Sequence, residues 1–534
     1  MSPTLNNVLK FTDLPRMVAS RWGDSLEIKV DQERQLIQIT CDPEVLQDLC
    51  QWLFYRQGYS LAALIAEEAP PEWVMRYILY GDTGNGQAHV LTRFPLSRTK
   101  VPSISPAIHA ADWQEREIED LFGLSFEGHP KLGDFILHED WPEGVSPMRR
   151  AFDASRLHPR QESGPPWRPE MIVKTPGAFM MPVGPVYSDT AEAAHFLLET
   201  VGEDVVRTIP KFFYKYRGVE KIAEGMPADH ALLLAERFSG SSAFAHSLAF
   251  CQALEAIYKI QAPSRARALR VLLAEMERLR HHTAAVAGIC SSTALAVAAS
   301  QTSIIEEDLL RLTCRLAGHR YFFGLNTPGG LSRDLPDGEC KKASEAAWIV
   351  LDKLKELHEM LRFTSSFLDR LEEVGSVSRE KAVAYGLVGP VARASGVSRD
   401  LRVAQPYAGY GQQTKFQVPR EAEGDGYARL RVLFAEAEQS VNLIHQVAST
   451  LPAGPVRTAT APTEGCALGW AEAPRGAAFH WLRTDGSGNI RRYRVMPPSF
   501  VNWHGFHLAA EEFAFQDFPI IMATFGLSNA ECDR

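Results

Sequence analysis

The sequence has few cysteines, and none of them belongs to a C-x-x-C pair. Eight thiols are scattered over 534 residues, at Cys41, Cys50, Cys251, Cys290, Cys314, Cys340, Cys466 and Cys532. This density is too low for a disulfide scaffold. We therefore expect reduced, mostly buried thiols in a cytoplasmic protein.

Long apolar runs and an excess of positive charge are also missing. No stretch of about 18 apolar residues is present, so the chain is not expected to cross a membrane. The first 13 residues contain no apolar segment typical of a secretory signal. Lys and Arg number 56 against 65 Asp and Glu, a net charge of −9. The sequence thus lacks the excess of positive charge that is typical of nucleic-acid-binding proteins.

The first part of the chain mixes helix and strand signals. Strand-like runs at residues 76–80 and 89–94 flank the turn-rich GDTGNG at 81–86. A hairpin is favoured over a phosphate-binding loop, because the Lys-Ser/Thr of a P-loop is missing. Residues 1–156 are predicted to form an α+β domain. The polar stretch 157–169 is predicted to be a linker.

The remainder, residues 170–534, is predicted to be a mainly α-helical domain with a small β-rich start at 172–209. Apolar residues at a spacing of three to four predict helices over 244–260, 265–287, 304–317, 343–374 and 427–451. Ser264 and Ser303 are predicted N-caps. Helices of this length favour a bundle core. The last eighty residues, rich in Gly and Pro, are predicted to be loop-rich.

The segment at 113–150, WQEREIEDLFGLSFEGHPKLGDFILHEDWPEGVSPMRR, is the most specific motif of the first domain. Glu115 and Glu119, like Arg116 and Asp120, have the spacing of neighbours on a helix face, which predicts a salt-bridged helix leading into a turn. The segment resembles the hydrophilic complex I subunit that packs beside the quinone-site subunit. That resemblance implies a docking scaffold and no active site.

Several segments of the second domain carry a further resemblance. They include PVGPVYSDTAEAAHF at 182–196, ERFSGSSAFAHSLAFCQALE at 236–255, RALRVLLAEMERLRHH at 267–282, GLVGPVARASGVSRDLR at 386–402, EAPRG at 472–476 and DFPIIMATFGLSNAECDR at 517–534. They resemble the family shared by NiFe-hydrogenase large subunits and the quinone-site subunit of complex I. Large subunits of the formate hydrogenlyase and hydrogenase-4 type, which carry a fused complex I-like N-terminal domain, look most similar.

The metal ligands that this resemblance implies are replaced. A NiFe centre needs four thiolates, two from R-x-C-G-x-C and two from a C-terminal C-x-x-C. Here Ser239 and Ser242 follow Arg237 in the first segment, while Ser528 and Glu531 take the terminal positions. Hydroxyls are hard and stay protonated, whereas nickel and low-valent iron need soft thiolates. The sequence predicts no NiFe centre and no other metal site.

In complex I the corresponding cavity holds a quinone headgroup, bonded by a Tyr and a His. Gly240 takes the Tyr position and Tyr187 the His position. Binding of the same kind is therefore not implied, although the Tyr187 phenol is a competent donor. The other polar candidates for the cleft are Ser239, Ser242, His246, Ser528, Glu531 and Asp533.

One of these candidates has two interpretations, and Arg237 is a further candidate. His246 is either a proton relay near an acceptor or a helix residue bonded to a neighbouring backbone group or carboxylate. Arg237 is predicted to form a buried ion pair with Glu472 or Asp533 that holds the cleft open.

A third set of charges lies on one predicted helix. Glu275, Arg278 and His282 share a face, while Glu277 points elsewhere. A structural charge network is favoured. The resemblance also implies helices that connect toward a membrane arm, so coupling to ion movement is an alternative role.

The resemblance implies a non-hydrogenase large subunit of a membrane-associated oxidoreductase, similar to NADH:quinone oxidoreductase and energy-converting hydrogenases. Its vacant cleft would face an iron–sulfur cluster on a partner and bind quinone or another small acceptor. Expected partners are an iron–sulfur small subunit, a ferredoxin-like subunit and membrane subunits of an ion-translocating arm.

The chain itself is expected to bind no cofactor, to be inactive alone, and to lie on the cytoplasmic face of the cell membrane through its partners. A non-catalytic scaffold is the main alternative, and an active NiFe hydrogenase a remote one.

Overall fold

A computed structural model describes residues 9–82, 84–156, 158–159, 169–187, 192–411 and 414–534. The described chain is 42% helix and 20% strand, which confirms the prediction of mixed helix and strand. Two compact units are present. One comprises Met1–Ile172 with Lys211–Tyr216 and Ala384–Gly386, and the other Val173–Pro210, Arg217–Val383 and Leu387–Arg534. Most of the predicted linker at 157–169 lies outside the described residues, so that boundary stays a prediction.

The first unit is built on a five-stranded sheet. Its helices are α1 (Leu14–Trp22), α2 (Leu46–Gln51) and α3 (Asp112–Phe122). Its strands are β1 (Leu26–Asp31), β2 (Leu36–Cys41), β3 (Ser60–Ala69), β4 (Glu72–Tyr80), β5 (Gln87–Pro95), β6 (Lys100–Pro102) and β7 (Ser125–Glu127). The strand order is β1-β2-β5-β4-β3, with only β2 and β5 parallel. The predicted hairpin around GDTGNG is confirmed as β4 and β5.

The acidic side chains of α3 act mainly on the backbone. Glu119 accepts a hydrogen bond from Gly133 N at 2.9 Å. Asp120 accepts bonds from Ile136 N at 2.7 Å and Leu137 N at 2.6 Å. Arg116, the expected partner of Asp120, lies over the Phe135 ring instead, 4.3 Å from its centroid. These carboxylates therefore shape the following loop, and the prediction of a salt-bridged helix is wrong for this pair.

The second unit holds the long helices. Its helices are α4 (Val219–Ala223), α5 (Ala228–Arg237), α6 (Ala243–Tyr258), α7 (Ser264–Ser292), α8 (Ala296–Ala317), α9 (Asp337–Arg362), α10 (Ser365–Leu368), α11 (Arg379–Ala384), α12 (Gly389–Ala394), α13 (Leu401–Ala404), α14 (Gly426–Ser449), α15 (Pro498–His504) and α16 (Phe518–Phe525). Its strands are β8 (Ala178–Val183), β9 (His195–Val201), β10 (Asp204–Lys211), β11 (Asn326–Thr327), β12 (Gly330–Leu331), β13 (Gly465–Ala473), β14 (Gly476–Thr484), β15 (Ile490–Met496) and β16 (Phe513–Ala514).

The five predicted long helices are confirmed as α6, α7, α8, α9 and α14. Helix α9 ends at Arg362, twelve residues before the predicted end, and the short α10 follows. Both predicted N-caps are wrong. Pro263 is the N-cap of α7, and Ser303 lies inside α8, where its Oγ donates to Ala299 O at 2.9 Å. Mid-helix serines commonly satisfy their hydroxyl in this way.

The prediction of a loop-rich C-terminal region is wrong, because β13, β14 and β15 form an antiparallel sheet there. Strand β14 is buried along almost its whole length, so the alternation that marks a half-exposed strand is missing. Gly469 in β13 lies against α6, where an added Cβ would be 2.0 Å from Ala249 O. Glycine is needed here because the helix and the sheet approach closely. In the sequence, however, such a glycine looks like the signal of a loop.

The β-rich start of this unit is confirmed as a sheet in the order β16-β10-β9-β8. Across the part of the chain that the structure describes, no helix is both long and apolar enough to cross a membrane.

Candidate functional site

A cleft of about 1020 Å³ opens in the second unit. The turn before α6, the middle of α7 and the segment after α16 supply its walls. Its lining includes Tyr187, Gly240, Arg280, His281, Arg475 and Ser528. Three of these, Tyr187, Gly240 and Ser528, are predicted candidates, whereas Arg280, His281 and Arg475 are not. The structure therefore brings two segments together around one space: residues 237–242, called the first motif below, and residues 517–534, called the C-terminal or last motif.

The two serines of the first motif lie behind the cleft wall and are buried. Ser239 Oγ donates a hydrogen bond to Glu531 Oε1 at 2.9 Å. The Ser242 hydroxyl has no hydrogen-bond partner within the described ranges. Gly240, between them, lines the cleft, and a Cβ added there would meet nothing within 4 Å.

Glu531 is the centre of a buried hydrogen-bond cluster. Besides the Ser239 hydroxyl, its carboxylate accepts a bond from Ser499 N at 3.0 Å. Arg475 Nη1 lies 3.5 Å from Oε1, and His246 Nε2 lies 3.8 Å from the same oxygen. Burial raises the pKa of Glu531, but His246 and Arg475 outweigh it and hold the pKa at about 2. Glu531 is therefore an ionised and fully engaged carboxylate.

Arg475 spans the space between the first and last motifs. Its Nε donates to Gly526 O at 2.7 Å, and its Nη1 donates to Ser241 Oγ at 2.5 Å. Burial lowers the pKa of this arginine, while Glu531 acts in the opposite direction. Sequence reasoning singled out Glu472 of the EAPRG motif and missed Arg475. The positive charge of an arginine in the same EAPRG motif was the signal that could have identified it.

The residues at the four predicted ligand positions do not fit a NiFe centre. Three offer hydroxyls, and the fourth, Glu531, is held by an arginine, a serine and a backbone N–H. Burial raises the pKa of the neighbouring Cys532 thiol well above its usual value, which disfavours the thiolate that a soft metal needs. Over the described ranges, no group of three or more His, Cys, Asp and Glu is arranged to hold a metal ion.

Ser528 lines the cleft beside Glu192, a residue that sequence reasoning missed. The Ser528 hydroxyl donates to Glu192 Oε2 at 3.2 Å, and Ala530 N donates to the same oxygen at 2.7 Å. Ser528 N donates to Ser499 Oγ at 3.1 Å. This network ties the C-terminal motif to the segment that precedes β9.

Tyr187 also lines the cleft and is half-buried. Its hydroxyl donates to Ala194 O at 2.9 Å. Burial raises the pKa of the phenol, so the hydroxyl stays protonated. With its proton committed to the backbone, the oxygen keeps lone pairs that can accept a hydrogen bond.

His246 lies 3.8 Å from the Glu531 carboxylate, as one interpretation of the sequence predicted, but its shortest polar contact is with a histidine that neither interpretation named. Its Nδ1 lies 2.9 Å from His480 Nε2, and His480 Nδ1 lies 2.8 Å from the Tyr493 hydroxyl. All three side chains are buried in the core. The His246 ring thus connects this chain of side chains to Glu531.

The predicted ion pair of Arg237 with Glu472 or Asp533 is wrong. Arg237 ends α5 with a side chain that is 59% exposed, and its nearest carboxylate is Glu236 at 3.8 Å. Glu472 pairs with Arg393 at 2.8 Å instead. The backbone oxygen of Asp533 accepts a bond from Arg217 N at 2.8 Å. A helix end that faces solvent cannot deliver a guanidinium into the core.

A separate buried charge network surrounds the middle of α7. Glu275 pairs with Arg278 at 3.3 Å and with Arg402 at 3.0 Å. His282 Nε2 lies 2.9 Å from Glu436 Oε2, and Arg393 Nε lies 2.6 Å from Glu436 Oε1. Sequence reasoning named the α7 members and missed those on α12, α13 and α14. Charged residues within otherwise apolar helices were the available signal.

Glu277 points away from this network, as its helical spacing predicted. Its carboxylate accepts bonds from Phe244 N at 2.7 Å and Ala245 N at 3.0 Å, two backbone amides in the first turn of α6. Burial raises its pKa to about 7. Glu277 therefore stabilises the start of the helix that follows the first motif.

Comparisons with known proteins agree with this architecture. Residues 39–157 match the family model of the respiratory-chain NADH dehydrogenase 30 Kd subunit, and residues 301–464 and 457–534 match that of the 49 Kd subunit. The chain is 30% identical to formate hydrogenlyase subunit 5 of Escherichia coli, over 94% of this chain and 90% of that protein. It is 28% identical to hydrogenase-4 component G of the same organism, over 95% and 90%.

A further relative is the C/D subunit of the NADH-quinone oxidoreductase of Bdellovibrio bacteriovorus, 28% identical over 80% of this chain and 82% of that protein. These relatives are subunits of oxidoreductases. The chain belongs to the family in which complex I-like 30 Kd and 49 Kd domains are fused, together with formate hydrogenlyase subunit 5, hydrogenase-4 component G and the C/D subunits of NADH-quinone oxidoreductases.

Proposed function

We propose that this chain is the acceptor-binding large subunit of a membrane-associated, complex-I-like oxidoreductase that does not act on hydrogen. Its cleft takes a quinone or a similar small carbonyl acceptor. The acceptor receives two electrons from an iron–sulfur cluster on a partner subunit and takes up two protons. The observation that carries the proposal is the open cleft of about 1020 Å³ beside ligand positions that hold Ser and Glu.

The chemistry of the lining supports an acceptor that carries oxygen atoms. Arg475 and Arg280 bring two guanidinium groups to the cleft. Arg280 Nη2 donates to Ser241 O at 2.7 Å, and its Nη1 lies 3.5 Å from Glu306. Positive charge near a carbonyl stabilises the negative charge that develops when electrons arrive. The volume lies just above the range of about 300–1,000 Å³ that is usual for small-molecule sites.

The relatives support an assembly with partner subunits. The chain carries no cluster of its own in this proposal. It joins an iron–sulfur small subunit and a ferredoxin-like subunit to membrane subunits of an ion-translocating arm, and through them lies on the cytoplasmic face of the cell membrane. Relatives named as subunits of formate hydrogenlyase, hydrogenase-4 and NADH-quinone oxidoreductase support this assembly.

The test is to fill the cleft in the purified complex. Ala284 lies on the cleft wall in the middle of α7, and Ala284→Trp places an indole in the cavity. Ala296→Trp, at the exposed start of α8, is the matched control. We expect Ala284→Trp to abolish saturable binding and reduction of a short-chain benzoquinone, and Ala296→Trp to leave both unchanged.

A second candidate function is a non-catalytic scaffold. The Glu531–Arg475 cluster supports it, since Glu531 stands at a position where the resemblance implies a metal ligand and is held there by an arginine. Full quinone reduction by Ala284→Trp would establish the scaffold and overturn our proposal. Nickel at one atom per chain in the purified complex, with hydrogen uptake, would overturn both. Turnover by the isolated chain would contradict its dependence on partners.

A further inference from the structure

His281 lies in the wall of the cleft, and two further titratable residues lie in hydrogen-bond contact behind it. The imidazole lines the cleft and is 6% exposed. Its Nδ1 lies 3.4 Å from Nδ1 of His282, and His282 Nε2 lies 2.9 Å from Glu436 Oε2. Within the described part of the chain, Nε2 of His281 has no hydrogen-bond partner. Three titratable groups thus form a line that ends at the cleft.

The carboxylate at the buried end determines which nitrogens carry protons. Glu436 accepts, so Nε2 of His282 is the protonated nitrogen and its Nδ1 is an acceptor. His281 then donates from Nδ1 to His282. This leaves the lone pair on Nε2 of His281 available to a molecule in the cleft. The arrangement is that of a base oriented by a hydrogen-bonded partner.

The charges around the line favour a neutral pair at rest. Burial lowers the pKa of His281 well below its usual value, and Arg475, Arg280 and Arg278 add to the shift. Burial also lowers the pKa of His282, with Arg278 and Arg393 in the same direction and Glu436 opposed. Burial raises the pKa of Glu436, but Arg393 and His282 outweigh it, so the carboxylate is ionised.

Three other titratable groups in or beside the cleft are committed elsewhere, whereas Tyr321, also on the wall, is a phenol with Arg280 over its ring. The Tyr187 hydroxyl donates to Ala194 O, and Glu192 accepts from Ser528 and Ala530. Glu531 lies behind the wall within its cluster. His281 combines a place on the wall with an unbonded ring nitrogen.

We propose that His281 is the acid–base residue of the cleft, and that His282 and Glu436 are positioning residues that hold its tautomer and stabilise its protonated form. The inference rests on the proposed function. When a reduced acceptor is oxidised, its hydroxyl proton moves to Nε2 of His281. The Nδ1 proton of His281 moves to Nδ1 of His282, and the resulting imidazolium lies beside the Glu436 carboxylate.

Acceptor reduction runs through the same groups in reverse. The electrons come from the partner cluster, and the negative charge that they place on the acceptor favours protonation of the histidine pair. His281 gives its Nε2 proton to the acceptor oxygen, and the Nδ1 proton of His282 replaces it on the other ring nitrogen of His281. Each cycle of the pair moves one proton, so the two-proton reduction takes two cycles, and the pair takes up a proton from solvent between them. No bond other than those to hydrogen is broken.

The test compares His281→Asn with His445→Asn in the purified complex. Asn keeps a polar group beside His282 but cannot titrate, and His445 is exposed on α14 and does not line the cleft. The electron acceptor in the assay is a short-chain benzoquinone, and an artificial low-potential donor supplies the electrons. The rate of the reaction without enzyme is subtracted. We expect His281→Asn to bind quinone within about threefold of wild type and to lose roughly 100-fold in kcat. His445→Asn should match wild type.

Two readouts separate catalysis from structure. Added imidazole should restore part of the kcat of His281→Ala, which a structural role would not predict. Glu436→Gln should shift the pH profile of kcat toward lower pH. The reason is that the carboxylate that favours the protonated histidine pair is lost. If Glu436→Gln does not fold, imidazole rescue alone carries the test.

The outcomes distinguish the two proposals. Wild-type complex that binds and reduces quinone, with kcat of His281→Asn within twofold of wild type, overturns the role of His281 and leaves the proposed function standing. Wild-type complex with no saturable quinone binding overturns the proposed function and this inference together. Loss of kcat without imidazole rescue assigns His281 a structural role and also overturns the inference.

Discussion

Arg475 and Glu531 approach each other to 3.5 Å at the point where the first and last motifs of the second unit meet. Glu531 stands at a position where the hydrogenase resemblance implies a metal-binding thiolate, and Arg475 holds it from the cleft side. A buried ion pair thus connects segments that a metal would otherwise connect. Such a pair needs good geometry and extra hydrogen bonds to offset desolvation, and Ser239 and Ser499 supply them.

Glu531→Gln should destabilise the chain, because it leaves the Arg475 guanidinium buried without its counter-charge. We expect a loss of about 3–5 kcal/mol in the free energy of unfolding, measured by chemical denaturation at pH 7. Glu345→Gln, on the exposed face of α9, is the control and should change stability by less than about 0.5 kcal/mol. Equal stabilities of the two variants would contradict the role of the pair.

The Glu531 carboxylate should also make the stability of the folded chain depend on pH in the acid range. The folded pKa of Glu531 is about 2, below its usual value of 4.5. A lowered pKa contributes stability that is complete above pH 4.5 and is lost as the pH falls toward 2, in total about 3 kcal/mol. Glu531→Gln should therefore lose less stability than wild type between pH 5 and pH 2.

Arg393 should be the most sensitive cation of the charge network. It is fully buried, with Glu436 at 2.6 Å and Glu472 at 2.8 Å. Arg393→Met removes the ion-pair partner of Glu472 and the nearest cation of Glu436, and should cost about 3–5 kcal/mol. Adding Glu472→Gln should cost less than the sum of the two single changes, by at least about 1 kcal/mol. Denaturation of the four proteins measures the coupling, and strict additivity would refute it.

Glu115 should make the chain less stable at higher pH. The side chain is fully buried, with bonds from Ser103 Oγ and Ile104 N, and burial raises its pKa to about 8. Because the folded pKa is raised, Glu115 contributes its full stabilisation below pH 4.5. This contribution falls by up to about 1.4 kcal/mol per pH unit as the pH rises from 4.5 and is lost as the pH passes through 8. Glu115→Gln should flatten the curve of Tm against pH from 5 to 8. An unchanged slope would contradict the shift.

Gly240→Tyr should tighten quinone binding. Gly240 lines the cleft, its Cβ direction is open to 4 Å, and a phenol there would add a donor at the position where the resemblance places one. One added hydrogen bond should lower the Kd of a short-chain benzoquinone roughly 3- to 10-fold. Gly240→Phe supplies the ring without the hydroxyl. Equal affinities of the two variants, by equilibrium titration, would show that the phenol makes no such bond.

The sequence predicted the elements whose signal is local. Apolar spacing identified α6, α7, α8, α9 and α14, and the strand–turn–strand pattern identified the β4–β5 hairpin. It failed for β13 to β15, because burial of both faces removes alternation and because Gly469 serves a close approach to α6. It also failed for Arg237, since the direction of a side chain at a helix end depends on tertiary packing.

The sequence by itself determined which atoms occupy the four ligand positions, because side-chain chemistry is local and hydroxyls cannot replace thiolates. Only the tertiary structure decided which charges meet. Arg475 reaches Glu531, and His281 meets His282 at the cleft wall in front of Glu436, which lies 154 positions beyond His282. Pairings between residues so far apart follow from helix packing, and a single sequence does not encode that distance in any local pattern.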